Sequence, residues 1–449
     1  MSTSTPGDNG QDQQTDNQKL IHWFRQAMPY INAHRGKTFV IAMSGDAVAS
    51  EHIHSLIHDI VLLNSLGTRI VIVHGIRAQL DQKLAEIGHT SEFVDGLRVT
   101  DQSTLDYAIQ ASSLVRSRLE TKLSMGLPNS PMHGAKVKVA SANAVTAKPC
   151  GIIDGVDLQL TGSVRKIDTA TLGTLLDIGN VILLSPLGFS PTGETFSLAH
   201  RNMAAELAIA LKADKLITFT GDEGVLNARG ELQRELNPAE AQAIAASTRS
   251  SETAALIEAN ARAVEQGVHR AHVMSFTIDG AMLHELFSVD GTGTMIQAQH
   301  FETTREASNE DIPAILDIIR PLERDGVLVR RDRDKLEEEI DRFTVIERDG
   351  LIIAVAALYA YAEQKTGEIA CIATHIDYRN GARGKLLLQT LEEKARASGL
   401  DSVFVLTTQT EHWFVEQGFS AGPLESLPEE KQQFYNFQRN SRVLKKVLT

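Results

Sequence analysis

The stretch GEIACIATHIDYRNGARGKLLLQTLEEKARASG, Gly367 to Gly399, decides the reading of the fold: an apolar strand leads into a short basic loop, and the loop leads into a helix. The loop comprises Arg379, Asn380, Gly381, Ala382, Arg383, Gly384 and Lys385. It offers backbone N–H groups and the positive end of a helix to an anion, and its small residues let the backbone come close. Arg379 and Arg383 add mobile positive charge. The same residues also fit an ordinary strand-to-helix turn with solvated cations, so the surrounding chain has to choose between the two.

Working outward, Phe343 to Arg348 and Ile352 to Tyr361 read as paired strands around an Asp349-Gly350 turn. Ser402 to Thr407 reads as a further strand, followed by HWFVEQGF at positions 412 to 419. Thr304 to Ile319 reads as a helix entered through Asp311 and Pro313. The amino-terminal part alternates differently. Strands are expected at Thr38 to Met43, Arg69 to His74, Val137 to Val139, Val181 to Ser185, Lys215 to Thr220 and His272 to Phe276. Helices are expected at Ile53 to Leu66, Ala78 to Glu86, Ser103 to Ser124, Ala204 to Leu211, Asn237 to Gln266 and Ala281 to Leu286. This alternation predicts a mostly parallel sheet with helices on both faces. Ahead of it, LIHWFRQAMPYI, Leu20 to Ile31, has helical apolar spacing up to Pro29, where the helix should kink or end. It is either a cap on the core or a contact between subunits. Met1 to Gln18 has almost nothing apolar and is predicted to be a disordered tail.

A chain of 449 residues is too long for a single core, so at least two domains are expected, with the boundary between Thr294 and Thr303. A net charge of -13 excludes a general affinity for nucleic acid phosphates and leaves anion capture to local arginine clusters. Cys150 and Cys371 are the only cysteines and allow at most one disulfide, which suits a reducing, cytoplasmic setting. No apolar run is long enough to span a membrane, and no metal-ligand spacing is visible.

The strand, the Arg379-x-x-Ala382-x-Gly384 loop, the helix and the Trp413 to Phe419 ending together resemble the GNAT acetyltransferases. That resemblance implies a C-terminal α+β domain using acetyl-CoA as co-substrate. Its pyrophosphate would lie on Arg379, Asn380, Gly381, Ala382, Arg383 and Gly384, and its pantetheine on the splayed strand at Cys371, Ile372 and Thr374. PLERDGVLVRRDRDKLEEEI (321 to 340) and YNFQRNSRVL (435 to 444) resemble segments of the bacterial N-acetylglutamate synthases. The resemblance implies Arg331, Arg439 and Ser441 as ligands of L-glutamate, whose carboxylates a guanidinium can grip with two hydrogen bonds. By composition alone, Arg330, Arg331 and Arg333 could equally pair with Asp332, Asp334 and Glu337. Glu368 is implied as the general base for the ammonium of the acceptor, and otherwise reads as an exposed strand-edge carboxylate. Phe414 stands where many GNAT enzymes carry a proton-donating tyrosine, which leaves Thr407 to orient a water or the sulfur, with His375 and His412 as alternatives. Cys371 has no matched His and Asn partners and reads as packing rather than as a nucleophile.

KTFVIAMSGDAV, VHGIRAQ, TGSVRKID, ADKLITFTGDEGV and AMLHELFSVDGTGTMI resemble the amino-acid kinase fold. Kinases of this family carry a lysine where Ala42 stands here, and glycines where Ser44, Ile76 and Arg77 stand, which implies a domain that does not transfer phosphate. In arginine-sensitive relatives an effector site falls on positions here occupied by Tyr30, Glu285, Gly291 and Gly293. The expected plan is a tail at 1–18, an arginine-sensing kinase-like domain at 19–295, a linker at 296–302 and an acetyltransferase domain at 303–449. It would be a cytoplasmic homo-oligomer, with a hexamer among the candidates, and the helix at Leu20 to Ile31 would join its subunits. The function implied is acetylation of L-glutamate under arginine feedback. The alternative is a non-catalytic arginine-binding regulator whose transferase domain has drifted; residual kinase activity is opposed by Ala42.

Overall fold

The computed structural model describes residues 21, 25, 27–125, 134, 137–288, 291–298, 302–348, 350–379, 382–433 and 441–448. The expected tail, Leu20, His22, Trp23, Phe24 and Gln26 of the first helix, and Asn380, Gly381 and Arg439 lie outside the described residues. The chain divides into two compact units, Met1–Gln299 and His300–Thr449.

The first unit is built on an eight-stranded sheet in the order Glu235–Leu236, Thr294–Ile296, Arg270–Ser275, Lys215–Thr220, Thr38–Met43, Arg69–His74, Asn180–Leu184, Lys138–Ala140. Every pairing is parallel except that of Arg270–Ser275 with Thr294–Ile296. Central strands such as TFVIAM and RIVIVH are apolar without alternation because both of their faces are covered. Val40 and Ala42 belong to one hydrophobic cluster, while Phe39, Ile41 and Met43 belong to the other, on the opposite face.

Three local expectations need correcting here. Of the two outcomes expected at Pro29, a kink or an end, the structure excludes the end: residues 27–34 are all helical, since a proline removes one hydrogen bond and neighbouring turns can carry the rest. The Ala-rich stretch is two helices, Pro238–Ser247 and Ser251–Glu265, because the Ser250 hydroxyl accepts from the Thr253 N–H at 3.2 Å and caps a new start. A closed four-stranded barrel of Val145–Pro149, Thr161–Ile167, Leu187–Phe189 and Thr195–Leu198 was not anticipated. Two of its strands, of three and four residues, are too short to announce themselves by alternation.

The second unit is a seven-stranded sheet in the order Thr303–Glu306, Phe343–Arg348, Leu351–Tyr361, Thr366–Thr374, Ser402–Thr407, Arg442–Val447, Ser420–Ala421. The helix expected from Thr304 is instead a strand followed by the helix Ile312–Arg324. Arg305 explains the change: it donates to both oxygens of Asp311, at 2.7 and 2.9 Å, and to Glu347 on the neighbouring strand at 2.6 Å, tying an extended segment to its neighbours. Ser308 and Asp311 then form a capping box just before the helix.

Candidate functional site

Two features of the strand Thr366–Thr374 set up the site. It pairs with Ser402–Thr407 in parallel only at Thr366, Gly367 and Glu368, so beyond Glu368 that edge is unpaired among the described residues. On its other edge the register with Leu351–Tyr361 slips, placing Cys371 and Ile372 opposite Ala356 alone. This is a β-bulge, and it puts Cys371 at φ 57°. The slip shares the strand between two cavities: Glu368, Ile369, Ala370 and Cys371 line one, while Ile372 and Thr374 line the other.

The second cavity, about 270 Å³, lies at the head of the helix Arg383–Ala397, which is held down by buried Leu387, Leu388, Leu391 and Ala395. Ala382 caps this helix without a side-chain hydrogen bond, so among the described residues the first-turn N–H groups have no side-chain acceptor. Arg379 and Lys385 supply the cations of this groove, and Trp413 forms an aromatic wall. Trp413 sits in an edge-on stack with Phe414, and Phe414 with Phe419. Arg383 does not point there. Its Nε donates to Glu302 at 2.8 Å and its Nη1 to the Tyr378 carbonyl at 2.7 Å, so its guanidinium braces the loop.

The first cavity, about 420 Å³, is strongly polar and holds Arg331, Tyr359, Tyr361, Glu368, Lys431 and Ser441. Glu368 is not an exposed strand-edge group: it is 6% exposed. Its Oε2 lies 2.6 Å from Lys431 Nζ, and the Tyr361 hydroxyl hydrogen-bonds to it. Burial, then the charges of Glu368 and Glu430, push the Tyr361 hydroxyl up to about 12, so this phenol keeps its proton at neutral pH. Arg331 lies beside Cys371 and Tyr359, and Tyr359 donates to Glu339 at 2.7 Å. Arg333, by contrast, is an exposed partner of Glu337. Burial pushes the Cys371 thiol up to about 11, leaving no thiolate to act as a nucleophile near neutral pH.

Thr407 lines neither cavity; its hydroxyl oxygen accepts from the Thr410 N–H at 3.0 Å and shares a hydrogen bond with the Thr410 hydroxyl at 2.8 Å, closing the turn after its strand. His375 and His412 also line neither. Tyr359, Tyr361 and Lys431 escaped the sequence reading. The two tyrosines share one face by the two-residue period of their strand, and Tyr359 is the register partner of Glu368. That alternation was a usable signal, whereas nothing in the sequence joins Lys431 to Glu368.

In the first unit, Ala42 is fully buried, and the Ser44 hydroxyl accepts from Ala47 N–H at 3.1 Å to start the helix Gly45–Ala49. Arg77, at the head of the helix Arg77–Glu86, is ion-paired with Glu252 beside a cleft of about 80 Å³. Glu285 is also committed. Its Oε2 accepts from the N–H groups of Thr292 at 2.7 Å and Gly293 at 2.9 Å, and its Oε1 lies 2.8 Å from His272 Nδ1. Burial alone would raise its pKa, but these donors hold it well below the ordinary glutamate range. Gly291 and Gly293 leave no room for a side chain here: a Cβ would stand 2.5 Å from Glu285 Oε2 and 2.4 Å from the Val273 carbonyl, respectively. Tyr30 is half-buried against the same core face. Among the described residues no group of three or more His, Cys, Asp or Glu side chains could hold a metal ion, and no helix is long and apolar enough to cross a membrane.

Residues 37–275 match the amino acid kinase family and residues 312–419 the acetyltransferase (GNAT) family. An amino-acid acetyltransferase of Pseudomonas fluorescens is 48% identical over 96% of this chain and 100% of its own length. Another from Pseudomonas aeruginosa is 48% identical over 95% of this chain and 99% of its own. A solved N-acetylglutamate synthase from Neisseria gonorrhoeae, complexed with coenzyme A and L-arginine, is 39% identical with a TM-score of 0.87, covering 95% of this chain and 99% of that one. The same enzyme complexed with coenzyme A and N-acetyl-glutamate is 40% identical with a TM-score of 0.62, covering 96% and 99%.

Proposed function

Since this chain belongs to the amino-acid acetyltransferases, we propose that it transfers acetyl from acetyl-CoA to the α-amine of L-glutamate, with L-arginine as feedback inhibitor. The observation that carries this reading is the splayed, bulged strand that borders both cavities. A thioester lying along Ile372 and Thr374 would present its carbonyl beside the acceptor cavity, so the two substrates meet without a covalent enzyme intermediate.

The chemistry follows from the groups present. Glutamate arrives as an ammonium and must lose a proton before its nitrogen can attack. Glu368 takes that proton, directly or through water, the N–C bond forms, the C–S bond breaks, coenzyme A leaves as the thiolate, and the second proton of the now cationic nitrogen passes to the departing sulfur or to water as the amide forms. A thiol pKa of about 8.5 makes strong acid assistance unnecessary. Arg331, Arg439 and Ser441 hold the acceptor carboxylates. Arg379, Lys385 and the free N–H groups around Ala382 and Gly384 hold the pyrophosphate.

The kinase-like unit serves as the sensor. With Ala42 in place of a lysine, and Ile76 and Arg77 in the turn, it lacks the cation and the open backbone that a transferred phosphoryl group requires. Glu285, Gly291, Gly293 and Tyr30 form the arginine site, where Glu285 has room for one more hydrogen bond on Oε1. The protein works in the cytoplasm as a homo-oligomer joined through its first helix.

Thiol release from acetyl-CoA tests this reading, with glutamate compared against the other amino acids, with and without arginine. Glutamate-dependent release suppressed by arginine is expected, and Glu285→Ala should lose the suppression while keeping the release. Release that ignores glutamate, or arginine binding with no transfer at all, would favour the drifted-regulator alternative.

A further inference from the structure

The base proposed for the reaction is already occupied by a cation of the protein. Lys431 Nζ lies 2.6 Å from Glu368 Oε2, and the Lys431 side chain is only 29% exposed. The chain places it there deliberately. Leu427 is buried in a cluster with Phe404 and Val443, and the Gln432 amide donates to the Leu427 carbonyl at 2.7 Å, fixing the short helix Glu429–Gln433 that carries Lys431.

A carboxylate oxygen in contact with an ammonium already has its acceptor position filled, and the α-ammonium of an incoming amino acid has to compete for the same oxygens. The acceptor cavity suggests what resolves the competition. Among the described residues it is lined by five cationic side chains, Arg330, Arg331, Lys335, Arg342 and Lys431, against three carboxylates, Glu339, Glu368 and Glu430. Its excess of positive charge matches a ligand with two carboxylates. Such a ligand acts on Lys431 twice: its ammonium repels the lysine from Glu368, and a carboxylate offers the lysine another partner. In an amino acid with one carboxylate that group is taken up by the arginines that hold the α-carboxylate, and no second one is left to draw the lysine away. Lysine suits this role because its ammonium is a compact charge on a flexible stem.

We propose that Lys431 is a positioning residue that masks Glu368 until the second carboxylate of the acceptor draws its ammonium away. The mask has two consequences. Without acceptor, Glu368 cannot deprotonate a water for attack on the thioester. In that wasteful reaction the water oxygen bonds to the acetyl carbon, the C–S bond breaks, and acetate and free coenzyme A result. With acceptor, only a dicarboxylic amino acid releases the base fully, so Lys431 contributes to selectivity beyond simple binding. This rests on glutamate being the acceptor.

The test compares the parent, Lys431→Met and Lys431→Arg in the full chain. Two quantities are read: thiol release from acetyl-CoA with no acceptor, and kcat/KM for glutamate against glutamine, which has the same shape with one carboxylate fewer. Parent turnover of glutamate tests the assignment of the acceptor; the variants test Lys431. In Lys431→Met, acceptor-free release should rise by roughly tenfold and the preference for glutamate over glutamine fall by roughly tenfold, with Lys431→Arg restoring both in large part. Circular dichroism and the acetyl-CoA KM show whether the fold is retained. Unchanged acceptor-free release, together with an equal fall in turnover of both acceptors, would overturn the proposal and leave the ion pair a structural brace. If Lys431→Met does not fold, Lys431→Gln takes its place: an acceptor-free release severalfold above that of the parent supports the mask, and a parent-like release overturns it.

Discussion

The two units contain strand-to-helix turns of the same general kind, one in the second unit and a pair in the first, and the two sets have opposite contents. In the second unit the described part of the turn into Arg383–Ala397 is open: Ala382 caps without a side chain, and a Cβ on Gly384 would meet the Trp413 ring no closer than 3.5 Å. In the first unit the turns after Thr38–Met43 and Arg69–His74 are closed on one another. A Cβ on Gly45 would stand 2.8 Å from the Arg77 backbone nitrogen, one on Gly75 would stand 2.8 Å from the Gly45 nitrogen, and Arg77 is paired with Glu252. The lesson is that the βα scaffold supplies an anion site only when the loop is left empty for it. Filling two or three positions turns the same backbone into a packed joint.

The comparison breaks most decisively at the chemistry of the open unit. Glu368→Gln keeps shape and hydrogen bonding but removes basicity, so turnover should fall by about 10² to 10⁴ with little change in the acetyl-CoA KM. Raising the pH should recover part of the loss, because more glutamate then arrives with a neutral amine. A variant within a few-fold of the parent at neutral pH would take Glu368 out of the mechanism.

Arg331→Ala comes next. Losing a charge-assisted contact to a carboxylate should raise the glutamate KM by tenfold to a hundredfold, about 1.5 to 3 kcal/mol, and leave the acetyl-CoA KM nearly unchanged. Equal effects on both substrates would mean that Arg331 supports the cavity wall beside Tyr359 rather than the ligand.

What could be read in advance divides along the same line. The strands Thr38–Met43, Arg69–His74, Lys215–Thr220, Phe343–Arg348 and Ser402–Thr407 fall at the expected residues, because each is an apolar run bounded by clear turn signals. Glu368 and Arg331 were legible as candidates because the segments that carry them resemble those of a known family, and both line the 420 Å³ cavity. Arg383 was read as an anion ligand and is turned to Glu302, a residue 81 positions away. Thr407 was read as catalytic and closes its own turn. Partners of this kind depend on long-range packing or on side-chain rotamers, and neither leaves a period in the sequence.

In the closed unit, Gly45→Ala should cost stability and not chemistry. The new methyl meets backbone at 2.8 Å, where no side chain can move aside, so a loss of about 1 to 3 kcal/mol is expected in denaturant unfolding. Turnover without arginine should be close to that of the parent while the protein remains folded. A parent-like midpoint would mean that the two turns are looser than their contacts imply.

The smallest effect should come from the matching change in the open unit, and it sharpens the comparison best. In Gly384→Ala the added methyl reaches Trp413 at 3.5 Å, an ordinary van der Waals contact, so the unfolding midpoint should hardly move. The same methyl narrows the groove where backbone N–H groups would meet a pyrophosphate, so the acetyl-CoA KM should rise a few-fold while the glutamate KM and turnover stay near the parent values. A variant that loses stability like Gly45→Ala, with both KM values unchanged, would show that the second loop is also a packed joint. Gly384 would then no longer count toward the coenzyme site.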